Sequence, residues 1–117
     1  MARRIVYWAK EYEVNPRDLQ PVMRRAIMIV DAAYAVYNKR LTITCTGGKN
    51  HTAGSLHPFG FAFDTRTRHL SPTERRKILE RIQRDFKGTG YEAFFHVDHF
   101  HIEYDPDDWK DSLLILK

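Results

Sequence analysis

The chain has very little cysteine and no long apolar run. Cys45 is the only cysteine among 117 residues, which excludes an intramolecular disulfide and fits synthesis in a reducing cytoplasm. Because Cys45 lies in an alternating, β-branched stretch, we expect it to be a core residue. No run approaches the ~20 apolar residues that a membrane-spanning helix needs, and no secretory cleavage site follows the N terminus. We therefore expect cytoplasmic synthesis without a signal peptide and no membrane insertion.

Internal repeats, linkers and low-complexity segments are also missing. A chain of 117 residues is long enough for one domain and too short for two, and 43% hydrophobic residues support a modest core. We predict a single domain over residues 1–117. The net charge of +4 suits a polyanionic partner, whether nucleic acid, anionic lipid or cell-wall polymer, and selects none of them.

Capping residues and hydrophobic periodicity predict two helices. Asn15 is a good N-cap and Pro16 suits a first helical position, and apolar residues then recur at three- and four-residue steps to about Tyr37. Ser71 and Glu74 form the pattern of a capping box, followed by apolar periodicity. We predict helices from residue 16 to about 37 and from 72 to about 87.

Alternating and β-branched stretches predict the strands. They cover residues 41–46, 59–65, 91–96 and 99–104, the last two being separate strands or one bent strand. Residues 5–9 fit either a strand or a helical turn, and we expect the apolar segment 109–116 to dock on the core. Helices and strands that do not alternate strictly predict an α+β domain, with a small, mostly antiparallel sheet and two main helices packed on it.

The stretch at residues 55–64, SLHPFGFAFD, places an imidazole and a carboxylate near small residues. His57 and Asp64 are separated by six residues, and a strand period puts Gly60, Ala62 and Asp64 on one face. The three phenylalanines take the opposite face and are expected to pack in the core. His57 lies in the turn before the strand, from which its side chain can fold back toward Asp64.

A second cluster, HVDHFHIE at residues 96–103, carries three of the six histidines. His99, His101 and Glu103 alternate onto one strand face, with His96 and Asp98 next to them. This pattern fits a solvated strand edge as well as a metal site.

A catalytic zinc site explains both clusters together. Such a site needs three nitrogen or oxygen ligands and an open fourth position. His57 and Asp64 supply two ligands, and an imidazole of the second cluster completes the set if the two strands are neighbours. A carboxylate near the open position would accept a proton from the attacking water. We therefore predict a zinc site on the sheet.

These motifs resemble those of a known family. The pattern S-x-H-x-x-G-x-A-x-D at residues 55–64, followed by D-x-x-H at 98–101, is similar to the signature of the zinc D-Ala-D-Ala carboxypeptidase and L-alanyl-D-glutamate endopeptidase family. That family includes phage endolysins and is related in fold to the hedgehog signalling domain. The resemblance covers about residues 40–104.

The resemblance implies roles for individual residues. It implies Zn²⁺ as cofactor, with three ligands: His57, Asp64 and His101. The acidic residue three positions before the last ligand is the general base in the family, which implies that role for Asp98. His96 and His99 match a longer H-x-D-H-x-H pattern of some members and are candidates to steady the substrate or the oxyanion.

One position departs from the family pattern. Many members carry an arginine on the strand before the first motif, where it binds a substrate carboxylate or the oxyanion, and the matching residue here is Lys49. Lysine keeps the charge and lacks the planar fork of arginine. His51, Arg66 and Arg68 are other candidates for this function.

The implied function is zinc-dependent hydrolysis of an amide bond in a peptidoglycan stem peptide at the bacterial cell wall. The missing arginine fork favours an endopeptidase over a D,D-carboxypeptidase, and a phage lysis or virion-associated enzyme fits the chain. The alternative is a zinc-containing binding module of the same fold without turnover. Asp98 favours the enzyme, because a binding module has no evident use for a base. We expect a monomer without a nucleic-acid partner.

Overall fold

The computed structural model describes residues 6–9, 14–46 and 60–105. His57, Lys49, His51 and the segment 109–116 lie outside the described residues, so their predicted roles stay predictions. The described chain contains two α-helices and five strands, which confirms the α+β class. The elements are β1 (Tyr7–Trp8), α1 (Met23–Ala35), β2 (Thr42–Cys45), β3 (Ala62–Arg66), α2 (Pro72–Asp85), β4 (Tyr91–His96) and β5 (His99–Tyr104).

The five strands form one sheet in the order β1-β2-β3-β5-β4. β1 pairs with β2 in parallel, and the other three pairings are antiparallel. The sheet is therefore mixed, and the prediction of a mostly antiparallel sheet is wrong. The reason is the route of the chain: α1 lies between β1 and β2, and a crossover of this kind joins parallel neighbours.

The first helix is shorter than the sequence predicts. Asn15 caps only a 3-10 turn, Pro16–Asp18, and the α-helix begins at Met23. The break arises at Pro21, which has no backbone N–H and disfavours helical geometry for Gln20 before it. The predicted helix from residue 16 is thus two elements.

The break before α1 fixes the entrance of β3. The Gln20 backbone N–H donates to the Gly60 carbonyl at 2.9 Å. Gly60 has φ +80°, and a Cβ there would lie 2.4 Å from the Asp18 carbonyl oxygen, so only glycine fits. Asp18 also accepts a 3.0 Å hydrogen bond from the Thr46 hydroxyl just after β2. These contacts tie together the ends of the two strands that flank the candidate site.

The second helix begins as predicted. The Ser71 hydroxyl accepts from the Glu74 N–H at 3.1 Å, and the Glu74 carboxylate accepts from the Ser71 N–H at 2.8 Å. This capping box satisfies backbone donors that a helix start leaves unpaired. α2 ends at Asp85, close to the predicted end.

Both helices pack on one face of the sheet. Phe63 of β3 and Phe100 of β5 are fully buried there with residues of α1 and α2, which confirms the predicted core position of Phe63. The Tyr34 hydroxyl of α1 lies 3.0 Å from the Thr65 hydroxyl and donates to the Arg66 carbonyl at 2.7 Å. Strand alternation therefore sends Asp64 to the opposite face.

In the described ranges, neither helix lies on that opposite face. It carries the polar side chains of β3 and β5 instead. No helix among the described residues is long and apolar enough to cross a membrane.

Candidate functional site

Asp64 and His101 face each other across the two central strands. They are directly opposed in the register of β3 and β5, and Oδ1 of Asp64 lies 3.1 Å from Nδ1 of His101. Their side chains are only 11% and 12% exposed. The strands of the two motifs are neighbours, which is the condition that the predicted ligand set requires, and zinc binding by these two residues stays a prediction.

The geometry of this pair fits two ligands of one zinc ion. Zinc bonds of about 2.0–2.1 Å in a tetrahedron separate two ligand atoms by about 3.3 Å. The distance of 3.1 Å between Oδ1 and Nδ1 is close to that value. Among the described residues, no group of three or more His, Cys, Asp and Glu side chains is arranged to hold a metal. The third predicted ligand, His57, lies outside those residues.

His99 connects Asp64 to Asp98. Its Nδ1 lies 3.0 Å from Oδ1 of Asp98, and its Nε2 lies 3.5 Å from Oδ2 of Asp64. The predicted base is therefore linked to the predicted ligand through an imidazole. Asp98 is 83% exposed at the end of the hairpin, where water reaches its carboxylate.

On the other side, Nε2 of His101 lies 3.5 Å from Oε2 of Glu103. Carboxylates and imidazoles thus alternate along the sheet face in the order Asp98, His99, Asp64, His101, Glu103. The sequence places Glu103 on this face, but the motifs give it no role. The alternation of His99, His101 and Glu103 is the signal that could have found it.

His101 lies between two carboxylates, which determines its protonation. Burial alone would lower the pKa of the imidazole, but hydrogen bonds and charge from Asp64 and Glu103 raise that pKa to about 9. Without a metal, His101 is therefore an imidazolium at neutral pH. The Phe94 ring packs on the imidazole with the ring centroids 4.9 Å apart.

His96 lies further from Asp64 than His99 does. It is exposed at the end of β4, and its ring contacts the His99 ring edge-to-face at 5.5 Å. This location suits contact with a bound molecule. Of His96 and His99, His99 is the one that contacts Asp64. The roles predicted for both histidines toward substrate stay predictions.

A cleft of about 250 Å³ opens beside Asp64. Its lining contains both arginines that the sequence offers as alternatives to Lys49. The lining residues are Thr44, Cys45, Asp64, Arg66, Arg68, Asp98 and His99. Positive charge therefore lies next to the predicted base.

Cys45 is not the core residue that the sequence predicts. It is half-buried and lines the cleft, because it pairs with Asp64 in the register of β2 and β3. The register shifts between Ile43 and Cys45, and this irregularity breaks the simple alternation on which the prediction depended. Ile43 itself is fully buried in the core.

The turn that carries Asp98 holds a strained residue. The Asp98 N–H donates to the His96 carbonyl at 2.6 Å across a three-residue turn, and Val97 at its centre has φ +57°. This conformation is rare and strained for a β-branched residue. The Thr67 hydroxyl donates to the Asp98 carbonyl at 2.8 Å and attaches the turn to the segment after β3. Strain at such a position is frequent near functional groups.

We expect Val97→Asn to stabilise the protein by about 1 kcal/mol, because asparagine adopts positive φ with less steric strain. Val97 is 82% exposed, so the substitution removes little apolar burial. The measurement is the free energy of unfolding in urea. Val36→Asn is the matched control, since Val36 is 55% exposed but has helical φ. Equal effects of the two substitutions would contradict strain at Val97.

Comparison of the chain with protein-family models, with curated proteins and with solved structures gives no match. The family resemblance therefore depends on the motif residues.

Proposed function

We propose that this protein is a zinc-dependent peptidase that hydrolyses an amide bond in the stem peptide of peptidoglycan. The observation that supports the proposal most is the Asp64–His101 pair lying beside the Asp98–His99 pair on one sheet face. Asp64 and His101 would hold the metal with His57, the third motif ligand. When bound, zinc would supply a Lewis acid for the scissile carbonyl and the attacking water.

Asp98 is the general base in this proposal. Its exposed carboxylate accepts a proton from the water as the water oxygen attacks the carbonyl carbon. The same proton is then transferred to the amine nitrogen as the C–N bond breaks, giving a carboxylic acid and an amine, which ionise to a carboxylate and an ammonium group. His99 orients Asp98 through the 3.0 Å contact with its Nδ1.

Arg66 and Arg68 bind the anionic peptide in this proposal. Both line the cleft together with Asp98, and their positive charge suits the carboxylates along a stem peptide without fixing any one of them in a defined place. The residue at the family's arginine position is Lys49, which offers a point charge instead of a fork. We favour an endopeptidase for this reason, since a carboxypeptidase must fix one terminal carboxylate in a defined place.

Digestion of purified sacculi by the zinc-loaded protein tests the proposed function. We expect new amino groups within the stem peptides, identified by mass spectrometry of the products. Free D-alanine as the sole product would assign the protein to carboxypeptidases. Unaltered sacculi with zinc fully bound would favour the binding module without turnover.

Substrate binding by the cleft arginines gives a separate prediction. Arg68→Ala should raise KM for an acidic stem peptide by about tenfold or more, the effect of losing one charge-assisted hydrogen bond. The same peptide with its free carboxylate amidated should show a smaller change. Lys77→Ala, which removes an exposed positive charge from α2 on the helical side, is the matched control. Equal KM changes in both variants would exclude a specific contact with Arg68.

A further inference from the structure

Glu103 lies at the end of the row of carboxylates and imidazoles and has no role in the motifs. Its Oε2 is 3.5 Å from Nε2 of His101, on the side of the ring away from Asp64, and its side chain is 18% exposed. We propose that Glu103 is a positioning residue that holds the His101 imidazole with Nδ1 toward Asp64 and with a proton on Nε2. The proposal deepens the proposed function and rests on it for the identity of the metal.

The two nitrogens of His101 have different neighbours. Nδ1 lies 3.1 Å from the Asp64 carboxylate and Nε2 lies 3.5 Å from the Glu103 carboxylate. An imidazole that binds a metal through Nδ1 must keep its remaining proton on Nε2. A carboxylate that accepts this N–H fixes the tautomer and the ring orientation, and it makes the other nitrogen a better ligand. Glu103 is located where such a carboxylate is needed.

The surroundings of Glu103 indicate that its carboxylate interacts with His101 and not with a cation on a neighbouring strand. Its register neighbours are Ala62 on β3 and Glu92 on β4, so neither strand places a cation opposite it. Like charges opposite each other in a sheet are unfavourable. In the part of the chain that the structure describes, His101 is the one ion-pair partner of Glu103.

The Phe94 ring restricts the same imidazole from another side. It lies opposite His101 in the register of β4 and β5, with the ring centroids 4.9 Å apart. Phe94 limits the tilt of the ring, but a hydrocarbon ring does not distinguish Nδ1 from Nε2. Glu103 supplies that distinction.

Zinc affinity of Glu103 variants tests the inference. Glu103→Ala should bind zinc about 10–100-fold more weakly than the wild type, the usual effect of losing a carboxylate that supports a ligand, and Glu103→Gln should lie between the two. The measurement is competition with a chromogenic chelator at fixed pH. Glu92→Gln removes the same charge from the strand position opposite Glu103 and should change the affinity by less than about twofold.

The proton on Nε2 of His101 gives a readout that needs no metal. In nitrogen-15 NMR spectra of the zinc-free protein, the Nε2–H signal should be visible in the wild type and in Glu92→Gln, and lost to solvent exchange in Glu103→Ala. The isosteric Glu103→Gln variant replaces the alanine variant if the latter unfolds.

The outcomes separate this inference from the proposed function. Wild-type protein that binds no zinc would overturn the proposed function, and the Nε2–H signal would still decide the role of Glu103. Equal zinc affinity and an equal Nε2–H signal in Glu103→Gln and Glu92→Gln would overturn the inference. Weaker zinc binding and faster exchange in Glu103→Gln alone would support it.

Discussion

The Asp98→Asn protein should still bind about one zinc per chain, while its hydrolysis of stem peptides falls by about a hundredfold or more. Asparagine keeps the size of the side chain and an oxygen acceptor for Nδ1 of His99, but it cannot accept a proton at neutral pH. Asp98 is exposed and contacts His99. Nδ1 of His101 contacts the carboxylate of Asp64 instead. The substitution therefore removes the proposed base and leaves the proposed ligands.

Two measurements together distinguish a general base from a zinc ligand at Asp98. Elemental analysis gives the zinc content, and the rate on a defined stem peptide gives the activity, both on the same preparation. Asp98→Glu should restore part of the rate, because it retains a carboxylate on a longer side chain. If Asp98→Asn loses zinc, Asp98 is a ligand. An undiminished rate would mean that another group accepts the proton.

Local signals predict much of the fold. The capping box at Ser71 and Glu74 depends on neighbouring residues, and the structure contains it. Residues 91–96 and 99–104 fit two strands or one bent strand, and the structure has two strands. β1 could not be predicted from local signals, because it has only two residues and its partner, β2, begins far along the chain at Thr42. Such a short strand exists only through its pairing, so its own sequence does not specify it.

The candidate site could be predicted in part. Alternation puts Asp64 and His101 each on a polar strand face, but only the register of β3 and β5 places them opposite each other. Register depends on the whole sheet and on the contacts of Gly60 at the entrance of β3. For the same reason the sequence could not place Cys45 in the cleft, since the shift in the pairing of β2 moves it there.

Replacing either of the two proposed zinc ligands among the described residues should empty the proposed site. We expect zinc to fall from about one per chain to below about a tenth in both Asp64→Asn and His101→Ala, because two remaining ligands hold zinc weakly. The measurement is elemental analysis after dialysis against a weak chelator. His96→Ala is the matched control, since it removes an exposed histidine of the same cluster and should leave zinc bound. Stoichiometric zinc in His101→Ala would contradict the ligand assignment.

The pH dependence of stability and of zinc affinity provides a second test of the role of His101. The pKa of His101 without metal is about 9, above its ordinary value of 6.5, so the stability that its ion pairs contribute is complete below pH 6.5 and is lost as the pH rises through 9. Zinc must displace this proton, and its affinity should therefore rise by up to about tenfold per pH unit until pH 9. Thermal unfolding of zinc-free wild type between pH 6 and 10 should show the loss of stability. In His101→Ala that part of the pH dependence should be absent, and its persistence would mean that another group titrates.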